Sequence, residues 1–226
     1  MKIVLKRIIG HLSILSLGAI ITAVVLLSID NARRAVMNYL SLHSSSPVVL
    51  ILGDSHLARF DGWPDIWSLK PWQIRNIAVD GYQARQVYSK YRDQVSSDDH
   101  CVLVVMAGIN RTKKDMPNDA ADAIDKLVRL AKKRDKALVI LEVMYTESPN
   151  DSAYVEGLNM QLRTIAEMNN TMFVSVNHKL SGKKKLLSQF SSDELHLNSV
   201  GYSALMAEIR EQTLQFISTE LKQCRG

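Results

Sequence analysis

The chain has 226 residues, 46% of them hydrophobic and 23% charged, with a formal charge of +5 and a pI near 9.2. Residues 1–47 hold five of the 28 lysines and arginines and one of the 23 acids, so they carry +4 and the remainder only +1. The basic balance is therefore a property of the N-terminal flank and gives no argument for nucleic acid as a partner. Two cysteines, Cys101 and Cys224, are too few for a disulfide framework, although a bond between them is possible in an oxidising compartment. No cluster of His, Cys or carboxylates has metal-ligand spacing, so no metal or other cofactor is expected.

Ile8 to Ile29 is a run of 22 residues without Asp, Glu, Lys or Arg. At about 1.5 Å per residue such a helix spans roughly 33 Å, enough for a hydrocarbon core of about 30 Å. A signal-peptide apolar region is shorter, about 7–15 residues, and no small-x-small cleavage site follows. The run is read as an uncleaved anchor, with a cleaved signal peptide as the alternative. Lys2, Lys6 and Arg7 precede it, while Asp30, Arg33 and Arg34 follow. The excess before the run puts the N-terminus in the cytoplasm. The expectation is a single pass through a bacterial inner membrane, with the rest of the chain facing the periplasm or the exterior. Residues 1–29 are thus N-terminus and transmembrane anchor, 30–47 a linker, and 48–226 one domain of normal size.

Within that domain the pattern alternates. Val48 to Leu52 is a continuous β-branched and aliphatic run stopped by Gly53, the signature of a buried parallel strand. Further strands are expected at 73–78, 101–106, 137–143 and 171–176, and helices at 83–94, 118–134, 151–169 and 199–221. The last helix carries Val200, Leu205, Ile209, Leu214 and Ile217 as an apolar stripe for packing on a sheet. Strands alternating with helices imply a five-stranded parallel sheet covered on both faces, a three-layer α/β/α, flavodoxin-like arrangement preceded by one transmembrane helix. Trp63, Trp67 and Trp72 could line a binding wall, with core or interface packing expected for at least two of them. Lys183-Lys184-Lys185 reads as a solvated turn. His43, His100 and His178 have no partner pattern and are read as surface or strand-end residues.

Five short stretches carry chemistry: Gly53-Asp54-Ser55-His56, Asn76 with Gly81, Gly108-Ile109-Asn110, Asp193-Glu194-Leu195-His196, and Leu197-Asn198-Ser199-Val200-Gly201-Tyr202. In an open α/β sheet, ligands bind outside the carboxyl ends of the strands, so Ser55 stands at the mouth of such a crevice. A serine hydroxyl needs a base to become a nucleophile. His196 is the candidate base, and Asp193, three residues before it, would fix its tautomer and stabilise the imidazolium. The backbone N–H groups of Ser55 and Gly81 and the Asn110 side-chain amide are candidate oxyanion donors. Ser55 could instead cap the following helix, and Asp193 could cap the last one, although Asn198 or Ser199 suits that role better. His56 is read as a loop or packing residue.

These blocks, in this order, resemble the SGNH (GDSL-type) hydrolase family of serine esterases and acyl-transfer enzymes, over Val48 to about Tyr202. Ser55, Gly81, Asn110 and His196 stand where the family has the four residues of its name. The resemblance implies an acyl-ester substrate and acyl transfer through a serine ester. Three positions depart from the common pattern: His56 stands where leucine is frequent, Arg111 where aspartate follows the asparagine, and Glu194 where glycine is common. Together with the anchor, the resemblance implies an enzyme that removes or transfers O-acetyl groups on a cell-envelope or exported polysaccharide. The alternatives are a lysophospholipase or thioesterase on lipid acyl chains, and a non-catalytic scaffold of an export complex. Arg59 and Arg111 lie near the predicted site in sequence and are possible contacts for an acidic substrate; ordinary solvated charge is the competing role.

Overall fold

Every residue of Val49–Gly53, the first strand (β1), is buried, as a strand covered on both faces requires. The computed structural model of the chain describes residues 48–96, 100–112 and 114–224, together with Ala32, Ala35, Val36 and Tyr39. The expected membrane run, Ile8 to Ile29, lies outside the described residues, as do nearly all of the linker, His43 and Lys113. Among the described residues no helix is long and apolar enough to cross a membrane.

Four more strands follow: β2 (Ile74–Asn76), β3 (Val102–Met106), β4 (Ala137–Leu141) and β5 (Met172–Val174). All pair in parallel, in the order β2-β1-β3-β4-β5. That is the flavodoxin-like order, whose topological switch lies between β1 and β3. The two chain crossings leave that point in opposite directions, opening a crevice over the carboxyl ends of β1 and β3. Gly53 is required there by close approach: a Cβ on it would lie 2.2 Å from the Met106 carbonyl oxygen on β3.

The helices, numbered along the chain, are α1 (Ser55–Ala58), α2 (Trp63–Ile66), α3 (Ala84–Gln94), α4 (Pro117–Lys133), α5 (Ser152–Met168), α6 (Asn177–Leu180) and α7 (Ser199–Gln223). Helices α3, α4 and α5 pack side by side against β1, β4 and β5. The second layer is α7, which meets β3 and β5 and packs on α2 and α6. The four long helices and five strands fall within a few residues of their expected limits.

Among the side chains some expectations hold and others are corrected. The buried stripe of α7 runs through Leu205, Ile209, Thr213, Ile217 and Leu221, spaced four apart. Val200 is 58% exposed and Leu214 37% exposed, because both fall off that face. Thr213 belongs to the stripe because its hydroxyl accepts the Trp67 indole N–H at 2.8 Å. Trp63 and Trp67 are buried and stacked on each other, so they are core, whereas Trp72 is exposed. His100 is buried at the approach to β3, with its Nε2 3.1 Å from the Tyr91 hydroxyl. Lys183 and Lys184 form the turn of a small hairpin, Ser181–Gly182 (β6) with Lys185–Leu186 (β7). Cys101 and Cys224 are joined by a disulfide that ties the end of α7 to the start of β3.

Candidate active site

Ser55 is the first residue of α1, immediately beyond β1. The cap of that helix is Asp54, whose Oδ1 accepts the His56 backbone N–H at 3.1 Å. The capping role is therefore filled by Asp54, leaving the Ser55 hydroxyl for another partner. That partner is His196: Ser55 Oγ lies 2.9 Å from its Nε2.

His196 comes from the loop before α7. The loop is closed by a bridge between Ser191 and Leu197 and by the Ser192 N–H donating to the His196 carbonyl at 2.8 Å. Asp193 Oδ1 accepts the backbone N–H of His196 at 2.7 Å and that of Leu195 at 3.3 Å, while Oδ2 lies 2.7 Å from His196 Nδ1. These bonds, the backbone N–H of His196 foremost and its ring next, hold the Asp193 carboxyl down to about 2 although it is solvent-exposed. A carboxylate facing Nδ1 assigns the ring proton to that nitrogen and leaves the Nε2 lone pair for the Ser55 hydroxyl. The turn requires Glu194 at φ +69°. That left-handed region costs a side-chain-bearing residue what it does not cost glycine, which accounts for glycine being common at this position. Asn198 caps α7 by accepting the Gly201 N–H at 2.9 Å, so Asp193 is not the cap.

Asn76 is buried and fastens the nucleophile turn to the loop after β2. Its amide donates to the Leu57 carbonyl at 2.9 Å, and its oxygen accepts the Ala78 N–H at 3.1 Å. Bonding to β1 continues on either side of Ala78, from the Ile77 N–H to the Ile51 carbonyl at 2.9 Å and from the Val79 N–H to the Gly53 carbonyl at 3.0 Å, and leads into the loop that presents Gly81. Gly81 has φ +75° and faces open space. Asn110, in the loop after β3, donates one amide hydrogen to the Tyr82 carbonyl at 3.2 Å, which sets it next to the Gly81 loop and leaves its second amide hydrogen uncommitted by that bond.

Neither arginine singled out from the sequence is a free cation. Arg59 pairs with Asp80 at 2.9 Å. Arg111 pairs with Asp151 at 2.8 Å and lies 4.1 Å above the Tyr154 ring. Asp151 also accepts from the Thr146 hydroxyl at 3.1 Å, so Arg111 braces the loop after β4.

His56 has a role that its place in the sequence did not reveal. It is 2% exposed and both ring nitrogens face acceptors: Nδ1 lies 3.2 Å from Asp54 Oδ1, and Nε2 3.0 Å from the Leu195 carbonyl oxygen. Two acceptors demand two ring protons, so the site selects the imidazolium. Burial opposes that charge, but the Asp54 hydrogen bond and charge and the Leu195 carbonyl outweigh it and raise the His56 pKa above its ordinary value. The ring sits 5.6 Å from that of His196. His56 therefore links the nucleophile turn to the residue just before His196. The one available signal was histidine standing where leucine is frequent. Among the described residues no group of three or more His, Cys, Asp or Glu side chains could hold a metal ion.

Beyond the strand ends of this open parallel sheet a serine, a histidine and an aspartate are thus hydrogen-bonded in a row. Residues 51–204 match the GDSL-like lipase/acylhydrolase family, and the chain belongs to that family. No curated protein sequence matches it. Among solved structures it is similar to a GDSL-like lipase from Bacteroides thetaiotaomicron, at 21% identity over 82% of this chain and 97% of that one, with a TM-score of 0.64. It is also similar to the psychrotrophic esterase EstA from a Pseudoalteromonas species, a structure inhibited by monoethylphosphonate. There the identity is 14% over 76% and 100% of the two chains, with a TM-score of 0.61. A third is a mutant of an acetyl-xylooligosaccharide esterase from Geobacillus stearmophilus, at 15% identity over 76% and 95%, with a TM-score of 0.61. At these identities the structural likeness speaks for the fold.

Proposed function

We propose that this chain is a serine esterase acting on O-acetyl groups of a cell-envelope or exported polysaccharide, with water or a second sugar hydroxyl as acyl acceptor. The observation that carries the reading is the row Ser55 Oγ–His196 Nε2 at 2.9 Å and His196 Nδ1–Asp193 Oδ2 at 2.7 Å. Ser55 Oγ attacks the ester carbonyl as His196 Nε2 takes its proton. The carbonyl oxygen becomes an oxyanion facing the N–H groups of Ser55 and Gly81 and the amide of Asn110. The tetrahedral intermediate collapses, the sugar oxygen leaves with the proton from His196, and the acyl group stays on Ser55. Water or another hydroxyl, deprotonated by the same histidine, then releases it. Asp193 stays ionised throughout and stabilises the imidazolium.

Short acyl groups are favoured by the hollows beside Asn110. The nearer is lined by Gln83, Arg85, Asn110, Arg111 and Tyr154 with two alanines and two aspartates, and no Leu, Ile, Val, Phe or Met. A long chain gains about 0.8 kcal/mol per buried CH₂ and needs an apolar wall to do so. The acetyl-xylooligosaccharide esterase among the similar structures agrees with an acetylated glycan as substrate. The Cys101–Cys224 bond supports an oxidising compartment, in keeping with Ile8 to Ile29 as a membrane anchor and the domain facing the periplasm or exterior. The test is hydrolysis of p-nitrophenyl esters of rising chain length, beside a Ser55→Ala control. Acetate turnover that needs Ser55 and falls with chain length is expected; preference for long chains would move the substrate to lipids.

A further inference from the structure

The cations committed by ion pairs around this site are Arg59, Arg92 and Arg111, held by Asp80, Asp93 and Asp151. Arg85 and Lys90, both on α3, have no ion pair or side-chain hydrogen bond among the described residues. They line a groove of about 340 Å³ on the outer side of α3, with Tyr82, Gln86 and Ser89. Gln86, Ser89, Lys90 and Asp93 recur at helical spacing and share one face of α3, and Tyr82 stands just before the helix. Asp93, the groove's carboxylate, is taken up by two hydrogen bonds from Arg92, at 2.6 and 2.8 Å. Lys90 Nζ stands 5.7 Å from the centroid of the Tyr82 ring.

The groove adjoins the hollow beside Asn110. Arg85 also lines the small hollow that contains Asn110, and the Tyr82 carbonyl accepts the Asn110 amide. That hollow holds Asp115 and Asp119 as well, each bonded by a backbone N–H, of Thr112 at 2.6 Å and Met116 at 2.7 Å. A ligand extended from the oxyanion donors along α3 would thus meet an aromatic face, then amide and hydroxyl groups, and two cations outside any ion pair, of which Arg85 also feels the charge of Asp115.

We propose that this groove is a polymer-binding subsite for an anionic polysaccharide, whose carboxylates pair with Arg85 and Lys90 while its hydroxyls meet Gln86 and Ser89; this rests on the esterase reading above. Amide and hydroxyl side chains donate and accept as sugar hydroxyls require. A guanidinium matches a carboxylate in two-point geometry and an ammonium does so as a point charge. No aliphatic side chain lines the groove, which gives a fatty acyl chain nothing to bury against. The structure thereby moves recognition of acidic substrate away from Arg59 and Arg111, whose charges are spent on Asp80 and Asp151.

The test compares acetate release by the full chain, in detergent, from O-acetylated polygalacturonate and from O-acetylated glucomannan. Two partly exposed cations predict a kcat/KM roughly tenfold higher on the polyuronate, shrinking as salt is raised. In Arg85→Ala/Lys90→Ala the ratio falls to about one, and in Arg85→Glu/Lys90→Glu it inverts. Equal rates on the two polymers, a preference that survives in the double variants, or faster hydrolysis of lysophosphatidylcholine micelles, read as fatty-acid release, would overturn the inference. Wild-type p-nitrophenyl acetate hydrolysis separates the two levels. If it requires Ser55 while the polymer preference is missing, only the anionic subsite is lost; if Ser55 is dispensable, the parent reading fails as well.

Discussion

Replacing His56 by leucine, the residue frequent at this position in the family, should be far from silent here. Asp54 and His56 are 1% and 2% exposed, and Asp54 Oδ1 accepts both the ring N–H at 3.2 Å and the His56 backbone N–H at 3.1 Å. Leucine fills a similar volume but removes the cation beside a buried carboxylate and strips the Leu195 carbonyl of its donor. Breaking a buried pair by taking one partner costs about 3–5 kcal/mol, and an orphaned carbonyl about 1–3 kcal/mol, with overlap between the two. A loss of about 4 kcal/mol lowers Tm by roughly 8–16 °C in a domain of this size. The Asp54→Asn/His56→Leu double variant removes both charges and should recover most of that loss.

The pH dependence gives the sign. The folded-state pKa of His56 is raised above 6.5, so its contribution is fully present below about 6.5 and is lost as pH rises through the folded value. Thermal unfolding followed by circular dichroism from pH 5.5 to 9.5 should therefore show the widest gap between wild type and His56→Leu at the acid end. A His56→Leu Tm within about 2 °C of wild type at pH 6, or a gap that widens with pH, would refute the reasoning.

Three further outcomes are expected. Glu194→Gly relieves a left-handed residue, worth about 1–2 kcal/mol, against about 0.5–1 kcal/mol of added backbone freedom, so it should match or exceed wild-type stability. Glu194→Val should fall below both in the same melts, and the reverse order would contradict the strained turn. Opening the Cys101–Cys224 bond, which closes a loop with a sequence separation of 123, by Cys224→Ser should cost about 2–4 kcal/mol, read by urea denaturation. Reducing agent should lower the wild type to the same level and leave the variant unmoved. Asn110→Ala should lower kcat on p-nitrophenyl acetate by about 10²–10³ with a smaller change in KM; an unchanged kcat would remove Asn110 from the oxyanion donors.

Much of the fold was legible because parallel strands buried on both faces must be continuously apolar. Val49–Gly53 and Val102–Met106 are such runs, and both are fully buried. The Asp193–His196 pairing was legible because it is local: three residues apart, both groups belong to one turn. What the sequence hid or left open was set by partners distant in the chain. Arg111 meets Asp151, 40 residues on, and Cys101 meets Cys224, 123 residues on, contacts that no local pattern encodes. His56 reaches Leu195 across 139 residues, so its bridging geometry exists only once both loops are placed. Val200 has the hydropathy of the α7 stripe but an angle that carries it into solvent, which the buried Leu205–Leu221 series fixed only in three dimensions. The hairpin Ser181–Leu186 hides in a lysine run because two of its turn residues, Lys183 and Lys184, adopt positive φ where glycine or asparagine would be expected.

The central claim is that Ser55 Oγ is the nucleophile, and covalent trapping tests it most directly. Incubation of the full chain with an ethyl p-nitrophenyl phosphonate, followed by peptide mass spectrometry, should place a single phosphonyl adduct on Ser55. Loss of ester turnover should track its formation, and the Ser55→Ala variant should take no adduct. A chain that hydrolyses p-nitrophenyl acetate while staying unlabelled at Ser55, or that is labelled equally in Ser55→Ala, would contradict the account.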